Sequence, residues 1–76
     1  MSRPLTSLAP GEEASIVALH APEALFHRLT ALGFRKGRQV TLLRQAAFHG
    51  PLHVRIGSTD VIIRACDAHC IELNSA

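Results

Sequence analysis

Cys66, Asp67, His69 and Cys70 place two thiols, a carboxylate and an imidazole within five consecutive positions. This is the one local cluster that combines a nucleophile, a base and an acid. A cysteine nucleophile, however, draws its base from a distant part of the chain. Side chains crowded into one turn also point in different directions, so the cluster does not read as catalytic. Metal binding suits the same residues better. Five His and two Cys in 76 residues are a high density of soft and borderline ligands. If 65–70 is a helical turn, Cys66 and Cys70 share a face at i and i+4, and Cys66 and His69 at i and i+3. That supplies two ligands, or three with His69, whereas a structural zinc site needs four. No cofactor is expected to be required. The metal chemistry left to Cys66, His69 and Cys70 is weak surface binding of zinc or iron, within one copy of the chain or shared between two. The plainer alternative makes the cysteines small buried hydrophobes and the histidines solvated. His49 and His53 are close in sequence but separated by a turn.

The second group with chemistry is cationic: Arg35, Lys36 and Arg38. They suit a phosphate or an acidic partner, or simply a solvated turn. GFRKGR lacks the spacing and the Lys-Ser/Thr ending of a phosphate-binding loop. No aromatic residue interleaves with these cations, which weakens a single-strand nucleic-acid platform.

Composition narrows the frame that must hold these groups. A chain of 76 residues is one domain, and so small a domain buries only about 60% of its unfolded surface. It is 47% hydrophobic and 18% charged, which argues against disorder. There is no Trp or Tyr and only three Phe, so the core is expected to be aliphatic. Net charge is +2 and seven of the eight cations are Arg, dispersed along the chain. The N-terminus has no secretory h-region, and no segment reaches the roughly 18 apolar residues of a membrane span. The two cysteines are too few for a disulfide scaffold. A cytoplasmic location is expected, with any membrane reached through a partner.

The elements follow from periodicity. Residues 1–12 read as a lead-in, with Leu5 and Leu8 as packing satellites and a turn at Pro10-Gly11. Residues 13–20 read as a strand; both of its faces are fairly apolar, which predicts cover on both sides at its end. Pro22 suits the first helical turn, and Glu23 suits the positive end of the helix dipole. Leu25, Phe26, Leu29 and Leu32 form one helical stripe. Gly33 sits where a left-handed cap is expected, with Phe34 folded back over the last turn. The helix is predicted over 22–32. A strand over 39–45, with Val40 and Leu42 inward, follows the polar turn at Arg35–Arg38. After a loop over 46–51, Leu52, Val54 and Ile56 alternate with His53 and Arg55. Gly57-Ser58 is a hairpin signal. Val61 and Ile63 carry the return strand with Ile62 on its other face. A helical turn over 65–70, a strand over 71–73 and a tail over 74–76 complete the chain. The fold class is mainly β: five short strands in a closed or nearly closed barrel, one helix between the first and second strands, and a helical turn before the last.

The pattern resembles the FeoA family, ferrous iron transport protein A, from Leu5 to Leu73. LTSLAPGEEASI is similar to the family's opening and first strand, and HRLTALGFRKGRQV to its helix end and Leu-Gly corner. GPLHVRI is similar to its proline-led third strand, and VIIRACDAHCIEL to its ending. These are structural markers, not catalytic ones. The family's Ala-Pro and Asp-Pro stand here as Ala46-Ala47 and Gly50-Pro51, and Ala65 follows Arg64 where a second basic residue is common.

The resemblance implies an SH3-like barrel and a cytosolic accessory role, without enzymatic activity, for the membrane ferrous iron transporter with a GTPase domain, FeoB. On that footing Glu23, His27, Arg28 and Ala31 on the helix, with Arg35 and Lys36 at the corner, are the expected partner contacts. Leu25, Leu29, Leu32, Gly33 and Gly37 are expected to hold the shape. Other readings are a stand-alone relative of the C-terminal domain of iron-dependent repressors, a nucleic-acid-binding small barrel and a metal chaperone. A homodimer is compatible with all of them.

Overall fold

Alternating inward side chains build most of this molecule, in a computed structural model that describes residues 2–74. The elements run β1 (Ser2–Pro4), a 3-10 turn (Leu5–Ser7), β2 (Glu13–Leu19), α1 (Glu23–Leu32), β3 (Gln39–Gln45), β4 (Leu52–Ile56), β5 (Thr59–Ile63), α2 (Ala65–Ala68) and β6 (Ile71–Asn74). The strands form one antiparallel sheet in the order β1-β6-β2-β3-β4-β5. The sheet therefore has six strands, not five. The extra one lies in the expected lead-in, where Ser2, Arg3 and Pro4 pair with Asn74, Leu73 and Glu72. Asn74, expected in the tail, closes β6; its side-chain Oδ1 also accepts the Ser15 N–H at 2.9 Å. The rest of the tail, and Met1 of the lead-in, lie outside the described residues.

One core gathers the inward face of the strands. Ala14 and Ile16, Val40 and Leu42, Leu52, Val54 and Ile56, Val61 and Ile63, and Ile71 and Leu73 are all buried in a single cluster with Leu29, Phe34 and Ala68. A sheet whose strands all turn one face to the same cluster must curl around it. Register shifts in β2 between Ile16 and Ala18, and in β3 between Leu42 and Arg44, supply bending. Leu5 and Leu8 are core members, 0% and 5% exposed, and not satellites. With only three Phe available, this end of the core depends on them.

The expected helix forms, but its stripe is narrower than its spacing suggests. Leu29 is buried and Leu25 packs half-buried against the core, while Phe26 and Leu32 are 40% and 41% exposed. A helix laid over a small curved sheet touches it along a line, so residues at the margins of a stripe stay open to water. The helix ends as its residues require. Gly33 adopts φ +109°, its N–H reaching the Thr30 carbonyl at 3.0 Å while the Phe34 N–H reaches the Leu29 carbonyl at 3.0 Å. This pairing satisfies two end carbonyls and folds fully buried Phe34 onto the core. Gly37, at φ +92°, makes the second bend and donates to the Ile16 carbonyl at 2.7 Å.

Candidate functional site

The helix–strand corner positions its cations through these two glycines. Between them the chain carries Arg35 and Lys36 out to the exposed surface beside the C-terminal half of α1. There they line one open groove of about 380 Å³ with Phe26 and Thr30 of α1 and Val17, Ala18 and Leu19 of β2. The Thr30 hydroxyl donates to the Phe26 carbonyl at 2.8 Å, so it makes little polar demand on the groove. The apolar end of β2, expected to be covered on both sides, is the half-buried wall of this groove instead. The helix stands beside it without closing over it.

The expected contact residues divide into three groups. Glu23, His27 and Ala31 lie exposed on α1, with the His27 ring edge-on to Phe26 at 5.9 Å between centroids. Arg35 and Lys36 belong with Phe26 and Thr30 in the groove. Arg28, also exposed on α1, does not line the groove; its Nη2 lies 3.5 Å from Asp67 Oδ2 on α2. Val17, Ala18, Leu19, Phe26 and Thr30 went unselected by sequence reasoning. The signal for Val17, Ala18 and Leu19 is the two-faced apolarity of β2, which a strand buried on both sides shares; Phe26 and Thr30 lie on α1 and carry no such signal.

Half of the eight cations are paired with carboxylates. Arg3 pairs with Glu12, Arg55 with Asp60, and Arg28 and Arg64 with Asp67. Hydrogen bonds from Arg3 and from the Ala9 N–H hold the Glu12 carboxyl below the usual range. Arg55 does the same for Asp60, and Ser2 and then His20 for Glu72. Among the described residues Arg35, Lys36, Arg38 and Arg44 make no ion pair.

The cysteine cluster is spread out by the short helix. Cys66 is exposed and Cys70 half-buried, with the Cys70 thiol 3.8 Å from the Cys66 carbonyl and the Cys66 thiol 3.8 Å from Asp67 Oδ1. His69 lines a separate shallow cavity with Arg3, Pro4, His20 and Glu72. Among the described residues no three His, Cys, Asp or Glu side chains are grouped to hold one metal ion. A closed four-ligand zinc site does not fit this donor set.

Comparison with known proteins places this geometry. The FeoA domain family matches residues 3–75. A Campylobacter jejuni protein named Fe(2+) transport protein A is 31% identical over 70 residues, covering 92% of this chain and 95% of its own. The crystal structure of Stenotrophomonas maltophilia FeoA complexed with zinc, described as a prokaryotic SH3 domain protein, superposes with a TM-score of 0.81 at 28% identity. That match covers 93% of this chain and 88% of the other. A manganese-dependent transcriptional repressor shares the fold over 99% of this chain and 42% of its own, with a TM-score of 0.88 at 20% identity.

Proposed function

This chain belongs to the FeoA domain family, and from that membership we propose that it is a non-enzymatic accessory of ferrous iron uptake that docks on the cytosolic part of a FeoB-like transporter carrying a GTPase domain. The observation that carries the reading is the corner between Gly33 and Gly37. It sets two cations without ion-pair partners, Arg35 and Lys36, beside an open apolar groove and the exposed face of α1. An apolar patch bordered by a polar rim is the anatomy of a protein interface. Any GTP hydrolysis belongs to the partner, and the chain works in the cytoplasm. No helix among the described residues is long and apolar enough to cross a membrane.

Capture of the transporter's cytosolic domain by the immobilised chain, in the GTP-analogue, GDP and nucleotide-free states, tests the proposal. Binding in at least one state is expected; absence of binding in all three sinks it. Nucleic acid is the less suited partner, because the net charge is only +2 and half of the eight cations are already tied to carboxylates on this surface. A nucleic-acid complex would weaken steeply with salt, so titration at two salt concentrations separates the readings.

Zinc bound to Stenotrophomonas maltophilia FeoA raises the same question for this chain. We propose that Cys66 and Cys70 offer a weak surface site for zinc or iron, with His69 as a third donor only if its side chain turns toward them. The remaining positions would be completed by water or a second copy. Zinc and Fe(II) titration of the chain and of Cys66→Ser with Cys70→Ser tests it; equal affinity removes the pair from consideration.

A further inference from the structure

Three observations meet at the groove between β2 and α1. First, its walls are apolar: Val17, Ala18 and Leu19 on one side, Phe26 on the other. Second, β2 has an open edge there. It pairs with β3 only through Glu13, Ala14 and Ser15, and beyond Ile16, which bonds to Arg38 and Gly37, only β6 lies beside it. The His20 N–H donates to the Cys70 carbonyl at 2.8 Å, on the β6 side. The Leu19 carbonyl belongs to the same trans peptide and so points the opposite way, toward the open side. Third, Arg35 and Lys36 stand at the rim with no carboxylate of their own among the described residues.

We propose that this groove receives an extended segment of a partner protein. The segment adds as a strand to the free edge of β2 at Val17–Leu19, seats an apolar side chain against Phe26 and Leu19, and sets a carboxylate against Arg35 and Lys36. Strand addition needs an unpaired edge for main-chain hydrogen bonds and a neighbouring pocket for alternate side chains, and both are present. The rim charge selects an acidic over a basic segment. A second copy of this chain and an amphipathic helix are rival occupants. The inference deepens the docking reading and rests on it for the identity of the partner, but its geometry is tested without the transporter.

The experiment is a selection of short random peptides displayed on phage against the full chain, followed by 15N NMR titration of the enriched peptides. Enrichment of apolar residues next to Asp or Glu is expected, with shift changes at Val17, Ala18, Leu19, Phe26 and Thr30. Affinity is expected to fall about tenfold or more in Arg35→Glu with Lys36→Glu, as for loss of a close charge pair. Thr30→Gln fills the groove without adding charge, exchanges a β-branched residue for a better helix former, and is expected to weaken the same peptides. Both variants should keep the NMR spectrum of a folded chain.

No enrichment over the charge-reversed variant overturns the proposal. So do enriched peptides that shift other surfaces, peptides that bind as helices, or a dimer of this chain that dissociates on charge reversal. Transporter binding that ignores both groove variants overturns the groove assignment and leaves docking intact. Selected peptides without transporter binding do the reverse.

Discussion

Arg28 of α1 reaches Asp67 of α2, its Nη2 3.5 Å from Oδ2. Arg64 approaches the same carboxylate at 3.4 Å, so one largely covered acid gathers two guanidinium groups from parts of the chain far apart in sequence. The contact ties the exposed helix to the C-terminal turn. Arg28 is thus not among the residues that line the groove with Arg35 and Lys36, which stand without ion-pair partners among the described residues.

Arg28→Ala should therefore leave capture of the transporter domain unchanged. Such a half-exposed pair contributes about 1 kcal/mol or less, so the melting temperature should fall by no more than about 4–8 °C. Arg35→Glu with Lys36→Glu should do the opposite, removing capture while leaving the melting temperature nearly in place. Loss of capture in the Arg28 variant alone would reassign the face.

Gly33→Ala should destabilise the chain for a conformational reason. A Cβ there would meet Ile56 Cγ2 at 3.5 Å, an ordinary contact, so space is available. The cost lies in φ +109°, about 1–2 kcal/mol for a residue with a side chain in the left-handed region. Thermal melting should show a drop of about 4–16 °C, and Gly33→Asn a smaller one. Equal stability of Gly33→Ala would mean that the cap rearranges.

Leu29→Ala and Leu32→Ala separate the core of the helix stripe from its margin. Leu29 is 1% exposed and its truncation should cost about 2–5 kcal/mol, a large part of the stability of so small a domain. Leu32, at 41% exposure, should cost about 1 kcal/mol or less. Urea denaturation midpoints of the two variants check the order; similar midpoints would contradict the placement of the helix.

Phe48 stands in the left-handed region at φ +60° and is 99% exposed in the loop between β3 and β4. Its ring contributes no burial to offset the backbone cost. Phe48→Gly should raise stability by about 1 kcal/mol, seen as a rise in melting temperature of about 4–8 °C. An unchanged or lower melting temperature would show that the ring contributes something the fold needs.

Acid should weaken the fold through three carboxylates. Glu12, Asp60 and Glu72 are each held below their ordinary range by hydrogen bonds that exist only in the folded chain. A depressed folded pKa contributes stability above the unfolded value, and the contribution is lost as pH falls through the folded one. Melting temperatures should therefore decline from about pH 5 downward. Glu12→Gln and Glu72→Gln should each lower the plateau and flatten the decline. A decline as steep as in the parent chain would remove these pairs as its cause.

Features that depend on neighbours within a few positions were legible in the chain itself. The Gly33 cap, the hairpin at Gly57-Ser58, the inward alternation of β4 and β5 and the helical turn after Arg64 follow from dihedral preference and short periodicity. The family resemblance could be read from the same local markers. What the tertiary structure decided depends on partners distant in sequence. Ser2–Pro4 becomes a strand only because β6 offers an edge, and Leu5 and Leu8 become core only once that edge closes over them. Apolarity on both faces of β2 signalled unusual surroundings, but periodicity counts apolar positions and does not show whether an element lies against them. The sheet and helix leave Val17–Leu19 as the wall of an open groove, and Arg28 lies beside Asp67 instead of in it. The candidate site is therefore set by which surfaces remain uncovered when a small core runs out of residues to cover them.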